Sequence, residues 1–170
     1  MTAARFVLRR WPLAALLISA AMLAAAHAFE TFGNLAPCHL CLKQREVYWW
    51  AMAVAAVAVA ANLARPTPYT PRIASLVLAG IFAYGTYLAA FHAGAEWKWW
   101  AAPATCSSTG PVSLAALKAL LAGGGAHQPA CDVAPGRVLG LSMAGWNALI
   151  SAGLVAISLL AAIRREPARS

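Results

Sequence analysis

Pro37-Cys38-His39-Leu40-Cys41-Leu42-Lys43-Gln44-Arg45 runs almost directly into an apolar stretch, Val47 to Ala64, and this junction sets the frame for the whole chain. Two thiols stand three residues apart where a polar link turns into a hydrophobic run. If Cys41 falls in the first turn of the helix that follows, both sulfurs share one face and can close a small disulfide. The free backbone N–H groups of a helix start favour an anion, so one of the two thiols is expected to ionise readily. A thiolate serves disulfide exchange and metal binding alike.

Working outward, four long apolar segments stand out, at about residues 11–28, 47–64, 73–92 and 138–163, and none has Lys, Arg, Asp or Glu in its interior. A membrane-spanning helix needs roughly 20 mostly apolar residues. The chain of 170 residues is 62% hydrophobic and 11% charged, whereas a soluble domain is about a quarter charged. Charge this sparse cannot cover a water-facing surface. The reading is one integral membrane domain over residues 1–170: an all-α bundle of four transmembrane helices, with loops at about 29–46 and 93–137. The first segment has a rival reading, because basic Met1 to Arg10, an apolar run and Ala26-His27-Ala28 also outline a signal peptide.

Orientation follows from Lys and Arg. With four spans, one side holds Arg5, Arg9, Arg10, Arg65, Arg72, Arg164, Arg165 and Arg169. The other holds Lys43, Arg45, Lys98, Lys118 and Arg137, diluted by Glu30, Glu46, Glu96 and Asp132. The positive-inside rule then puts both termini and the proline-rich link Arg65 to Arg72 in the cytoplasm, and the long loop between the third and fourth spans in the periplasm. The net charge of +8 is read as this orientation signal. No Lys/Arg block is interleaved with aromatics in a polar segment, so nucleic-acid binding is disfavoured. All four cysteines, Cys38, Cys41, Cys106 and Cys131, fall on the outer side, where disulfides persist.

The outer loop opens with Glu96-Trp97-Lys98-Trp99-Trp100, which reads as an interfacial aromatic belt. Leu114, Leu117, Leu120 and Leu121 form one stripe of a short helix expected to lie on the membrane. Gly123-Gly124-Gly125 then supplies a joint that lets Cys131 move relative to Cys106. In the fourth span, Gly140 and Ala144 make a small-x-x-x-small step suited to close helix approach. Asn147 is a polar group expected to bond across helices.

The cysteines allow redox, zinc and purely structural readings. Covalent haem attachment needs His directly after the second Cys, and Leu42 stands there. Zinc needs four ligands, which Cys38, Cys41, Cys106 and Cys131 with His39 or His127 supply in number. Cys106 and Cys131 are 25 residues apart and flank the mobile part of the loop; they serve as a static brace or as an exchangeable bridge. Arg45, one turn beyond Cys41, either snorkels to the headgroups or steadies a thiolate or an acceptor oxygen. His92 ends the third span at similar depth; as a lone residue it reads as a satisfied interfacial histidine, like His27 and His39. No flavin, nucleotide or haem fingerprint is present, so the natural oxidant for a dithiol here is one that dissolves in the membrane, a quinone.

The whole pattern resembles the disulfide bond formation protein B (DsbB) family. Pro37 to Arg45 is similar to that family's P-C-x-L-C-x-x-x-R signature. His92-Ala93-Gly94-Ala95-Glu96-Trp97-Lys98-Trp99-Trp100 with Cys106-Ser107 looks like its loop opening. Cys131-Asp132 and Gly140-Leu141-Ser142-Met143-Ala144-Gly145-Trp146-Asn147 look like its loop end and fourth span, with Pro135-Gly136 as a departure where an aromatic is expected. The resemblance implies a bacterial inner-membrane oxidoreductase that reoxidises a soluble periplasmic DsbA-type thiol oxidase. It implies that the partner attacks Cys106, that Cys131 then attacks Cys38, and that Cys41 passes electrons to ubiquinone or menaquinone near Arg45, with His92 as a second contact. The rival expectations are a non-enzymatic membrane protein with bracing disulfides and an outward-facing zinc site.

Overall fold

The computed structural model describes residues 10–103, 106, 130–134 and 136–163. The expected leucine stripe, the triple-glycine joint, His127 and Pro135 lie outside the described residues. Four helices carry the fold: α1 (Trp11–Gly33), α2 (His39–Ala64), α3 (Tyr69–Glu96) and α4 (Met143–Ile163). Each is long and apolar enough to cross a membrane. A short hairpin, β1 (Arg137–Val138) and β2 (Leu141–Ser142), precedes α4.

The helix ends explain where the sequence reading stopped short. Pro12 opens α1 at a position whose missing N–H costs nothing. The helix runs on to Gly33 and stops at Asn34, which adopts the left-handed conformation at φ 51°. Helix α2 begins at His39, eight residues before the apolar run, because polar Lys43, Gln44, Arg45 and Glu46 are all good helix formers. Between α2 and α3 the link is short, and Pro71 sits inside the first turn of α3 rather than in the link; the N–H it lacks has no helical partner there in any case.

The fourth span differs most from expectation. It starts at Met143, not Val138, because Leu139 and Gly140 take positive φ values of 52° and 82° and turn the chain. This is the two-residue turn that matches strand twist, and it pairs Val138 with Leu141 and Arg137 with Ser142. Gly140 therefore lies in a turn, and the expected Gly140–Ala144 helical step does not exist. Ser142 Oγ accepts from the Gly145 N–H at 3.1 Å and caps α4.

Packing runs in series, α4 against α3, α3 against α2, and α2 against α1. The core is Trp11, Ala15, Leu23, Tyr48, Ala51, Ala55, Leu78, Phe82 and Leu154. Its small residues let the backbones close in; a Cβ at Gly85 would stand 2.9 Å from Val47 Cγ1. Trp11 Nε1 donates to Ser158 Oγ at 2.9 Å and joins α1 to α4. Leu17, Val57, Leu63, Tyr84, Tyr87 and Leu160 point outward and are exposed, as a lipid-facing surface requires, since backbone polar groups are satisfied within each helix.

Candidate functional site

At the end of the bundle where α2 begins and α3 finishes, Cys38, Leu40, Cys106 and Cys131 form a buried cluster, with Cys41, Phe91 and Ala102 packed against it. Cys38 is the N-cap of α2, and its sulfur accepts the Cys41 backbone N–H at 3.3 Å. Cys41 lies in the first turn, so the expected shared face is present, and the two sulfurs are 2.9 Å apart as free thiols. Cys106 and Cys131 are joined by a disulfide with Cα atoms 5.2 Å apart. The Cys131 N–H donates to the Cys106 carbonyl at 3.2 Å.

Two contacts seat the loop cysteines over the helices. Lys98 Nζ pairs with Asp132, tying the end of α3 to the residue after Cys131; that ammonium holds the Asp132 carboxyl below its ordinary value. Trp100 stacks on Phe91 with ring centres 5.7 Å apart, and its indole N–H donates to the Phe91 carbonyl at 2.9 Å. A Cβ on Gly94 would fall 2.0 Å from Trp100, so only glycine permits this fold-back of the chain. The aromatic segment thus does more than mark the membrane boundary.

The sulfur of Cys38, the sulfur of Cys131 and a ring nitrogen of His92 lie within 4.8 Å of one another. The two cysteine pairs thus face each other across less than 4.8 Å. It also bears on the zinc reading: Cys131 is bonded to Cys106, so the trio becomes a ligand set only if that bridge is reduced. The Cys38 thiol is pulled down to about 4 by the hydrogen bond from Cys41, against burial, with further help from His92. A thiolate is the species that attacks, and a low-affinity thiol is also the better leaving group.

His92 sits on the Cys38 sulfur. Its Nε2 is 3.7 Å from Cys38 Sγ and 3.7 Å from Glu96 Oε1, while Nδ1 is 2.9 Å from Gln44 Nε2. Gln44 Oε1 accepts from Asn147 Nδ2 at 2.6 Å, and Asn147 Oδ1 accepts from the Tyr48 hydroxyl at 2.5 Å. The expected cross-helix bond of Asn147 is therefore present, and it belongs to a series that ends at the histidine. Glu96 is buried, with Oε2 lacking a hydrogen-bond partner. Arg45 does not turn to Cys41: its guanidinium pairs with Glu30 and donates to the Ala26 carbonyl at 3.2 Å, both on α1.

Sequence reasoning named the four cysteines and Arg45, and the family resemblance added His92, but neither gave a role to Gln44, Tyr48 or Glu96. Glu96 follows His92 by four residues and so shares its helix face; that spacing was the available signal. Gln44 stands one turn beyond Cys41 and carried no comparable mark.

Comparison with known proteins gives one pattern. The profile of the family described as disulfide bond formation protein DsbB matches residues 8–161. A disulfide bond formation protein B from Dechloromonas aromatica is 32% identical over 155 residues, covering 86% of this chain and 87% of the relative. One of the same name from Methylococcus capsulatus is 33% identical over 153 residues, covering 85% and 87%. No solved structure matches.

Proposed function

Because the chain belongs to the DsbB family, and is thus a membrane disulfide oxidase, we propose that it reoxidises a DsbA-type dithiol protein in the periplasm and delivers the electrons to a membrane quinone. The observation that carries this reading is the approach of the Cys38 and Cys131 sulfurs, within 4.8 Å.

In the proposed cycle both pairs start as disulfides. A partner thiolate attacks Cys106, forming a mixed disulfide and releasing Cys131 as a thiolate. Cys131 attacks Cys38, breaking the Cys38–Cys41 bond and releasing Cys41. The partner's second thiol then displaces Cys106, and the partner leaves oxidised. Cys106 closes on Cys131 and expels Cys38. The result is a Cys106–Cys131 disulfide facing a Cys38/Cys41 dithiol, the arrangement of sulfurs described above. Cys106 is buried in that arrangement, so the partner's first attack requires its cover to shift.

A membrane quinone supplies the acceptor for the two electrons and two protons released when the Cys38–Cys41 dithiol closes to a disulfide. The donor chemistry at Arg45 fits such a group. A guanidinium carries five N–H donors, of which Glu30 and Ala26 engage two, leaving donors for a carbonyl oxygen. Arg45 is the proposed holder of the quinone, and His92, on Cys38, acts mainly on the sulfur. Lys and Arg asymmetry supports an inner-membrane protein with both termini cytoplasmic and the cysteines periplasmic.

The test is oxidation of a reduced DsbA-type protein by the purified chain with ubiquinone or menaquinone. Turnover is expected for the unaltered protein and is expected to vanish with Cys41→Ser or Cys106→Ser. Undiminished turnover in either variant would remove that cysteine from the pathway.

A further inference from the structure

The hydrogen bonds around His92 have a direction, and the direction decides which ring nitrogen carries the proton. The Tyr48 hydroxyl donates to Asn147 Oδ1, which commits Asn147 Nδ2 to donate to Gln44 Oε1. Gln44 then presents its Nε2 to His92 Nδ1 at 2.9 Å. An amide NH₂ only donates, so Nδ1 accepts, and the proton of the neutral imidazole belongs on Nε2. Nε2 is the nitrogen 3.7 Å from Cys38 Sγ. We propose that Gln44 and Asn147 are positioning residues that fix His92 as the Nε2–H tautomer, so that it donates a hydrogen bond to a Cys38 thiolate instead of taking the Cys38 proton.

The series joins three helices: Gln44 and Tyr48 on α2, His92 on α3 and Asn147 on α4. Ser151 Oγ lies 3.2 Å from the Tyr48 hydroxyl and completes its far end. Gln44 is buried and Asn147 half-buried, and an amide with both ends engaged cannot rotate without breaking several bonds at once. Among the described residues, the titratable groups acting on Cys38 are Cys41 from α2, His92 from α3, and Glu96, which in turn faces Arg137 of the hairpin. Glu96 Oε1 stands 3.7 Å from the same nitrogen, beyond hydrogen-bond length, so Cys38 Sγ is the partner within reach of the Nε2–H.

The inference rests on the reading of Cys38 as a reacting thiol, and it explains how that thiol is made a good leaving group when Cys106 closes on Cys131. Its test needs neither quinone nor partner, so it stands apart from the test of the oxidase cycle. In Cys41→Ser protein with the Cys106–Cys131 bridge intact, Cys38 carries the only S–H group. Nitrogen-15 NMR of labelled histidine, with His92→Asn to assign the signal, reports the tautomer; the infrared S–H band followed against pH reports the thiol.

The expected result is Nε2–H for His92. Asn147→Asp, nearly isosteric, offers only acceptors when ionised, so Gln44 turns its oxygen to Nδ1 and the proton moves there. Cys38 then loses its donor, and the midpoint at which its S–H band vanishes rises by about one pH unit, a tenfold change. Gln44→Leu is expected to move the same midpoint in the same direction. An Nδ1–H signal in the starting protein, or an unmoved S–H midpoint in folded Asn147→Asp, would overturn the proposal.

Discussion

The two ends of the helical bundle handle buried polar groups in opposite ways. At the end where the chain enters α1, two contacts of buried side chains among the described residues are single and closed: Trp11 donates to Ser158, and Ser75 donates to the Pro71 carbonyl one turn back on its own helix. At the cysteine end the contacts run in series from Tyr48 through Asn147 and Gln44 to His92, and stop at a sulfur. An isolated pair only holds two helices together. Under the role proposed for Cys38, a series that ends on its sulfur ties that atom's chemistry to residues on α4.

The sharpest way to break the contrast is to remove a sulfur. Cys38→Ser is expected to abolish quinone-dependent oxidation of a DsbA-type protein while leaving helix content by circular dichroism intact; a protein that instead unfolded would make the cysteine end structural after all. Next in size is a change confined to the shared core. Leu78 is fully buried among Phe82, Ala51 and Leu154, and Leu78→Ala should cost about 2–5 kcal/mol through the cavity it leaves. Thermal inactivation in detergent should come earlier, with turnover per folded molecule kept.

A third change separates the two sides of the cysteine end. Arg45→Met should raise the apparent KM for quinone about tenfold, worth roughly 1.4 kcal/mol, and leave Cys106 exchange with a reduced partner unaltered in single turnover. Acid sharpens the comparison further. Cys38 is depressed to about 4 when folded, against about 8.5 for a free thiol. Between those values the unfolded thiol binds a proton that the folded one does not, so this group's stabilising contribution is full above the ordinary thiol range and is lost as pH falls through about 4. Thermal scans of the reduced protein across that window should show stability falling on the acid side, and Cys38→Ser should remove that part of the slope. Smallest is Asp132→Asn: its pair with Lys98 is at the surface, where such pairs contribute little, and no measurable shift in thermal midpoint is expected.

Most of the fold was legible because lipid imposes a length and an apolar composition on each span, and four segments met both. The ends were not, since a helix leaving the membrane continues through polar residues such as Lys43 to Glu46 at no penalty, and periodicity does not show where it begins. The start of α4 depended on turn chemistry at Leu139 and Gly140, which an apolar run conceals. At the site, spacing and placement singled out the cysteines but left redox, zinc and bracing roles open, and the order of exchange came from the family resemblance. Gln44 and Asn147 could not be read in this way, because they are 103 positions apart and acquire meaning only when α2 and α4 meet. Arg45 was expected on the Cys41 face, yet Glu30, contributed by another helix, claims its guanidinium.

Position 94 carries a consequence for substitution. Its lone hydrogen leaves the space that the Trp100 indole fills, and that indole presses on Phe91, which touches the sulfur cluster. A methyl group added there, the most modest enlargement protein chemistry offers, would be transmitted through two aromatic rings to the cysteines without altering a single charged or sulfur-bearing residue.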